Sequence, residues 1–359
     1  MRNPIKRKPG DVGKSPRAAF EIGSTAIQPG TRQTVNLHMS LLSDHTPMDM
    51  PIHVIHGKRD GPRMFISAAI HGDELNGVEI IRRILKTPRV NKLRGTLIAV
   101  PIVNVFGFLA HSRYLPDRRD LNRSFPGSEK GSLTSQLAYL FMKEVVLRCT
   151  HGIDLHTGAI HRSNLPQIRA DLTDPMMEQL AKTFSAPLVL HSNLRDGSLR
   201  RAATDKQIPT MLYEAGEALR FDELAIRLGV RGIIRVMQTL GMFGKLAPFK
   251  KNNSVVSQSS YWVRAPTGGI FQSLLHLGAK IKKGEVVGMI TDPMGSSEML
   301  VEAEEPGILI GRTSLPVVNQ GDALFHIAKV HNATKAEKVV AELQEEFMEE
   351  MNLETLSHE

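Results

Sequence analysis

The spacing of apolar positions changes character along this chain. Between residues 33 and 56, Val35-Asn36-Leu37-His38-Met39 and Ile52-His53-Val54-Ile55-His56 alternate apolar and polar side chains. A period of two predicts antiparallel strands, here closing with a turn at residues 57–61. From residue 63 strands and helices alternate. Met64–Ile70 is an apolar run of strand length, after which Val78, Ile81, Ile84 and Leu85 recur at helical spacing with Arg82, Arg83 and Lys86 turned elsewhere. Gly95–Asn104 is almost continuously apolar, as a parallel strand buried on both faces must be. A helix over Leu133–Leu147 and a strand ending at His156 follow. Next come a helix near Pro175–Phe184, strands near Pro187–His191 and Pro209–Tyr213, and a long helix from Phe221 to Leu240. Such alternation predicts an α/β fold, a doubly wound and mostly parallel sheet with helices on both faces.

The pattern shifts after Gly241. Trp262–Ala265, Gly269–Leu274, Val286–Thr291, Gly307–Gly311 and Ala323–Ala328 are short strand-like runs punctuated by glycine, which predict a smaller all-β domain. Residues 333–352 form an amphipathic helix with Val339, Val340, Leu343, Phe347 and Met351 on one side. It is expected to dock on its own protomer, with a dimer contact as the alternative, so a homo-oligomer stays open.

Composition narrows the class. The chain of 359 residues is long enough for one large α/β domain and a smaller one. No apolar stretch approaches the ~18–20 residues needed to span a bilayer, so no membrane association is expected. Residues 1–17 carry six Lys/Arg against one Asp with no apolar segment behind them, which is a flexible basic tail rather than a secretory signal. The lone cysteine, Cys149, excludes an internal disulfide and a cysteine-rich zinc site, and it fits a cytoplasmic protein. The net charge of +8 points toward anionic partners. Nucleic acid is not expected among them, because no run interleaves Lys/Arg with aromatics and Trp262 is the only tryptophan. Residues 333–359 hold eight Glu against two Lys, so the positive excess lies in the rest of the chain. Small anionic substrates account for it.

The candidate chemistry sits where predicted strands end. Ile70-His71-Gly72-Asp73-Glu74-Leu75-Asn76-Gly77 marks a strand-to-helix turn, and His71 and Glu74, three residues apart, can reach one cation. An imidazole with a carboxylate suits a borderline metal such as zinc. A third ligand is offered by His156 in Gly152-Ile153-Asp154-Leu155-His156-Thr157-Gly158, which also closes an apolar run. Taken alone, His71-x-x-Glu74 is as compatible with a polar turn; the second strand-end histidine tips the balance. Thr210-Met211-Leu212-Tyr213-Glu214 ends another strand in a carboxylate. Glu214 can act as general base toward activated water, or it can simply face a helix N-terminus. The loop from Phe106 to Gly131 is long for a compact domain and carries Arg113, Arg118, Arg119, Asn122 and Arg123. A guanidinium there can clamp a substrate carboxylate or steady an oxyanion, whereas Arg118 and Arg119 are expected to be solvated. His53 and His56 are expected on strand faces, away from any metal.

His71-x-x-Glu74, Asp120-Leu121-Asn122-Arg123, Asp154-Leu155-His156-Thr157-Gly158 and Tyr213-Glu214 occur in the order of the succinylglutamate desuccinylase/aspartoacylase family, which the chain resembles over roughly residues 20–330. The resemblance implies the zinc carboxypeptidase-like fold, one zinc ion on His71, Glu74 and His156, and Glu214 as general base and acid. It implies that Asn122 and Arg123 hold a substrate carboxylate and that Arg113 polarises the scissile carbonyl. Asp154 would support His156. The β-domain resembles the hammerhead barrel of biotinyl and lipoyl carriers. No lysine lies between Lys283 and Lys329, so a swinging-arm role is not expected. The expected division is a tail over 1–20, a catalytic α/β domain over 21–245, the β-domain over 246–330 and an acidic amphipathic helix over 331–359. The expected activity is zinc-dependent hydrolysis of a small N-acyl amino acid. The alternatives are a zinc carboxypeptidase and, from another class, a non-catalytic zinc- or nucleic-acid-binding regulator.

Overall fold

The computed structural model of the chain describes residues 17–244 and 254–356. Residues 1–16, most of the expected basic tail, lie outside this range. Strands β1 (Phe20–Ile22) and β2 (Thr25–Ile27) pair with each other, and β3 (Thr31–Leu41) and β4 (Pro47–His56) form a long antiparallel pair. Then come β5 (Arg59–Ala68), α1 (Asn76–Lys86), β6 (Arg94–Val100), the short α2 (Val105–Leu109) and α3 (Leu133–Glu144). They are followed by β7 (His151–Gly158), β8 (Arg162–Ala170), α4 (Pro175–Phe184), β9 (Leu188–His191) and α5 (Leu199–Thr204). β10 (Thr210–Glu217) and α6 (Glu223–Thr239) complete the first two thirds.

Beyond residue 254 lie β11 (Val255–Ser257), β12 (Ser259–Arg264), β13 (Gly269–Ser273), β14 (Lys280–Ile281) and β15 (Val286–Thr291). β16 (Glu298–Glu302), β17 (Gly307–Thr313), β18 (Val317–Val318), β19 (Ala323–Lys329) and α7 (Ala333–Leu356) end the chain.

The large sheet runs in the order β12-β19-β17-β8-β10-β7-β5-β6-β4-β3. Its centre, β10-β7-β5-β6, is parallel, while β8 joins β10 antiparallel. Helices cover both faces, as expected. One face buries Ile80, Ile84, Met177, Phe184 and Ile233 from α1, α4 and α6; the other buries Leu137, Phe141 and Leu199 from α3 and α5. A separate antiparallel sheet, β16-β15-β13-β18, packs Phe271, Val287, Ile290 and Val301 in one core with Val263, Leu309 and Phe325 of β12, β17 and β19.

Two features were not foreseen. The strand β8 is one, because Pro166 and the flanking Arg162 and Arg169 break the apolar pattern. The other is continuity: β17 pairs with β8, so β12, β14, β17 and β19 extend the main sheet rather than standing apart from it. α7 docks on its own chain, with Ala336 and Val340 packed among Leu165, Ile308 and Ile310. Phe347 and Met351 lie outside the described side chains. Among the described residues no helix is long and apolar enough to cross a membrane.

Candidate metal and substrate site

Parallel strands deliver their carboxyl ends to one edge, and the predicted residues gather there. His71 and Glu74 occupy the turn between β5 and α1, His156 lies near the end of β7, and Glu214 stands opposite His156 in the β10–β7 register. The turn needs Gly72: a Cβ there would meet Gly107 backbone carbon at 1.9 Å. Asn76, the first residue of α1, ties the turn to β10, donating to Ala215 O and accepting from Asp222 N.

Glu74 is buried between two imidazoles. Its Oε1 lies 2.7 Å from His71 Nδ1, its Oε2 lies 2.7 Å from His156 Nδ1, and Thr157 N donates to Oε2. The far nitrogens are equally engaged: His71 Nε2 with Asp120 Oδ1 at 3.0 Å and His156 Nε2 with Asp154 Oδ2 at 2.7 Å. Ser67 Oγ donates to the other oxygen of Asp154. The ligand atoms of His71, Glu74 and His156 all lie within 4.8 Å of one another.

A carboxylate on both nitrogens of each ring requires either an imidazolium or a cation between Nδ1 and Glu74. Burial lowers the pKa of both histidines, but the surrounding carboxylates outweigh it and the net shift is upward. Burial raises Glu74, and the two histidines outweigh that, holding it far below the usual carboxylate range. Two imidazoles and a carboxylate with their outer atoms fixed by Asp120 and Asp154 therefore fit a zinc ion.

Asp120 has a further partner that the sequence did not assign. Its Oδ2 accepts from Arg113 Nη2 at 2.9 Å and from Nε at 3.1 Å, so one carboxylate braces both His71 and Arg113. Arg113 Nη1 also lies 3.4 Å from Glu74 Oε1. Asn122 is buried, and its Oδ1 accepts from Leu199 N at the start of α5; Arg123 Nη1 donates to Asn122 O. Glu214 is held by two residues of the unforeseen β8, with Asn164 Nδ2 donating to Oε1 at 2.5 Å and Arg169 Nε 3.0 Å from Oε2.

A cavity of about 500 Å³ joins these groups. His71, Glu74, Arg113, Asn122, Arg123, His156 and Glu214 all line it, so every sequence-derived candidate meets there. The residues set aside stay away. His53 bonds Arg32 and Thr34, His56 bonds Thr96 and Ala18 O, and Arg118 and Arg119 are exposed. Sequence reasoning missed Arg162, Asn164, Arg169, Arg195 and Arg200, which also form the wall; nothing local marks them, since β8, α5 and the connection from β9 to α5 bring them in. Trp262, Arg264 and Ala323 of the C-terminal strands complete the lining.

The sequence model of the succinylglutamate desuccinylase/aspartoacylase catalytic domain matches residues 60–240. An N-alpha-acetyl-L-2,4-diaminobutyric acid deacetylase from Halomonas elongata is 27% identical over 346 residues, covering 91% of this chain and 98% of that protein. The crystal structure of a succinylglutamate desuccinylase/aspartoacylase from Rhodobacter sphaeroides superposes with a TM-score of 0.75 at 22% identity, over 84% of this chain and 96% of that one. A product-bound ectoine utilization protein from Ruegeria pomeroyi gives a TM-score of 0.75 at 22% identity, over 83% and 94%. These two likenesses show a shared fold. The matched catalytic domain spans half the sequence and contains His71, Glu74, Asn122, Arg123, His156 and Glu214, and the chain belongs to the succinylglutamate desuccinylase/aspartoacylase family.

Proposed function

We propose that this chain is a zinc-dependent hydrolase of linear amides that deacylates a small N-acyl amino acid or a related compound. The observation that carries this function is the buried His71–Glu74–His156 group opening, beside Glu214, into a cavity walled by arginines. Membership of the family supports hydrolysis of an amide bond, and the Halomonas elongata relative is named as a deacetylase. Zinc held by His71, Glu74 and His156 supplies Lewis acidity toward a carbonyl and lowers the pKa of water toward ~7.

The protein groups do the rest. Asn122 and Arg123 bind the substrate carboxylate, using a bidentate guanidinium contact. Arg113, braced by Asp120, donates to the scissile carbonyl oxygen as negative charge develops on it. Glu214, steadied by Asn164 and Arg169, accepts a proton from the attacking water and returns it to the departing nitrogen. With this function go the zinc carboxypeptidase-like description of the main sheet and the hammerhead-like description of the C-terminal strands. A cytoplasmic setting agrees with the single, buried Cys149.

The C-terminal strands favour small substrates over peptides, because Trp262 and Arg264 occupy part of the cavity wall. The test offers zinc-loaded enzyme N-acetyl, N-succinyl and N-formyl amino acids beside blocked tetrapeptides, with products read by mass spectrometry. Release of free amino acids from the N-acyl compounds is expected. Faster trimming of the tetrapeptides would replace this function with that of a carboxypeptidase.

A further inference from the structure

A carboxylate that takes a proton from water must keep one oxygen aimed at it. The last torsion of a glutamate is broad, so rotamer preference alone does not set that aim, and a contact has to. Among the described residues, Asn164 Nδ2 supplies the hydrogen bond to the Glu214 carboxylate, 2.5 Å from Oε1. Arg169 Nε stands 3.0 Å from Oε2 without the alignment of a hydrogen bond, so it contributes charge rather than direction. The orientation of Glu214 therefore depends on Asn164.

Asn164 is buried in the middle of the sheet, opposite Gly216 of β10 on one side and Gly311 of β17 on the other. An ionised carboxylate accepts hydrogen bonds and cannot donate, so the amide must turn its nitrogen to Glu214 and its oxygen away. The oxygen lies over Gly311: a Cβ at residue 311 would stand 2.5 Å from Asn164 Oδ1. Gly311 does not adopt a positive φ, so glycine is needed there for space and not for backbone conformation. It also follows a register shift, with Leu309 opposite Ile327 and Gly311 opposite His326. Such an irregularity re-aims the strand, here bringing a residue without a side chain beneath the amide.

We infer that Gly311 is a positioning residue for proton transfer: the space above it seats the Asn164 oxygen, which turns the Asn164 nitrogen onto Glu214. This inference rests on the proposed function, in which Glu214 is the base. The matched catalytic domain ends at residue 240, so the C-terminal strands do more than wall the cavity. One of them sets the aim of the group that moves the proton.

The test is a double-mutant cycle of Gly311→Ala and Asn164→Ala in the zinc-loaded enzyme, on whichever N-acetyl, N-succinyl or N-formyl amino acid the wild type hydrolyses fastest. Asn164→Ala should lower turnover about ten- to a hundredfold, as loss of one hydrogen bond to a charged group does, with zinc content and the Michaelis constant unchanged. Gly311→Ala should act in the same direction, because the tip of a side chain yields before the ladder does. The double variant should be no slower than Asn164→Ala, since the added methyl then has no amide to displace. Losses that multiply, or a raised Michaelis constant with turnover intact, would overturn the inference. Should Gly311→Ala fail to fold, the double variant should fold and match Asn164→Ala; failure of both would also overturn it. A second readout needs no activity. With asparagine selectively labelled with ¹⁵N, the side-chain amide signal that Asn164→Ala removes should shift in both Glu214→Gln and Gly311→Ala. An unmoved signal in Gly311→Ala would contradict the seat. If the wild type hydrolyses none of the N-acyl amino acids, the deacylase function fails, and the amide signal alone decides the link from Gly311 to Glu214.

Discussion

The two sides of the cavity keep their charges in opposite ways. At the ends of β5 and β7, the groups around Glu74 are bonded to one another: His71 to Glu74 and Asp120, His156 to Glu74 and Asp154, Arg113 to Asp120. Elsewhere on the lining, Arg123, Arg162, Arg200 and Arg264 rest on carbonyls, a hydroxyl and an indole. The first side is organised before any substrate arrives, which is what a metal site needs, since its ligands must be aimed in advance. Under the proposed function, metal holding and substrate binding fall to different residues, and each can be broken without the other.

The largest effect is expected from the closed side. His156→Ala removes a ligand and leaves Glu74 and Asp154 without their shared ring, so zinc content should fall to background and amine release should drop by about three orders of magnitude or more. Metal analysis beside activity checks this; retention of stoichiometric zinc would remove His156 from the ligand set. Asp154→Asn is gentler, because it only loosens the ring it orients. Zinc affinity should weaken by about 10–100-fold, read by competition with a chelator. On the open side, Arg123→Ala should raise the Michaelis constant about tenfold or more for substrates with a free carboxylate while changing turnover much less. Wild-type enzyme that turns over substrate amides and acids equally well would contradict that clamp.

The smallest effect concerns His326, which stacks on Trp262 at 4.3 Å. Burial, with help from Arg169 and Arg162, pushes the His326 pKa down to about 3 from an ordinary 6.5. Between those values the unfolded chain binds a proton that the folded chain refuses. The stability contributed above pH 6.5 is therefore lost as the pH falls toward 3, at up to ~1.4 kcal/mol per pH unit. His326→Phe keeps a ring on Trp262 but lacks this titration, so its urea-unfolding stability should fall less steeply between pH 6.5 and 4.5. Identical slopes would mean that His326 is not held neutral.

The difference between the two sides also explains what the sequence could reveal. His71, Glu74, His156 and Glu214 were legible because each follows an apolar run, and parallel strands bring their ends together regardless of sequence distance. Arg162 and Arg169 were not, because their place depends on β8 pairing with both β10 and β17, a register that no local pattern encodes; Arg200 is brought in by α5. The apolar face of α1 was readable from its spacing, and α4 and α6 were readable as helices. The joining of the C-terminal strands to the main sheet was not, since it too is a matter of long-range pairing. Asp120 lay in a recognised motif, but its double contact with His71 and Arg113 follows only from the fold of the loop.

The central claim is that metal holding and proton transfer belong to different residues of the cavity. Glu214→Gln tests it most directly, with zinc per chain and turnover measured on the same sample. Glu214 is hydrogen-bonded to Asn164 and ion-paired with Arg169 rather than held by the histidines, so the variant should keep its zinc while turnover falls by about 10²–10⁴-fold. Loss of zinc, or turnover near that of the wild type, would contradict the account.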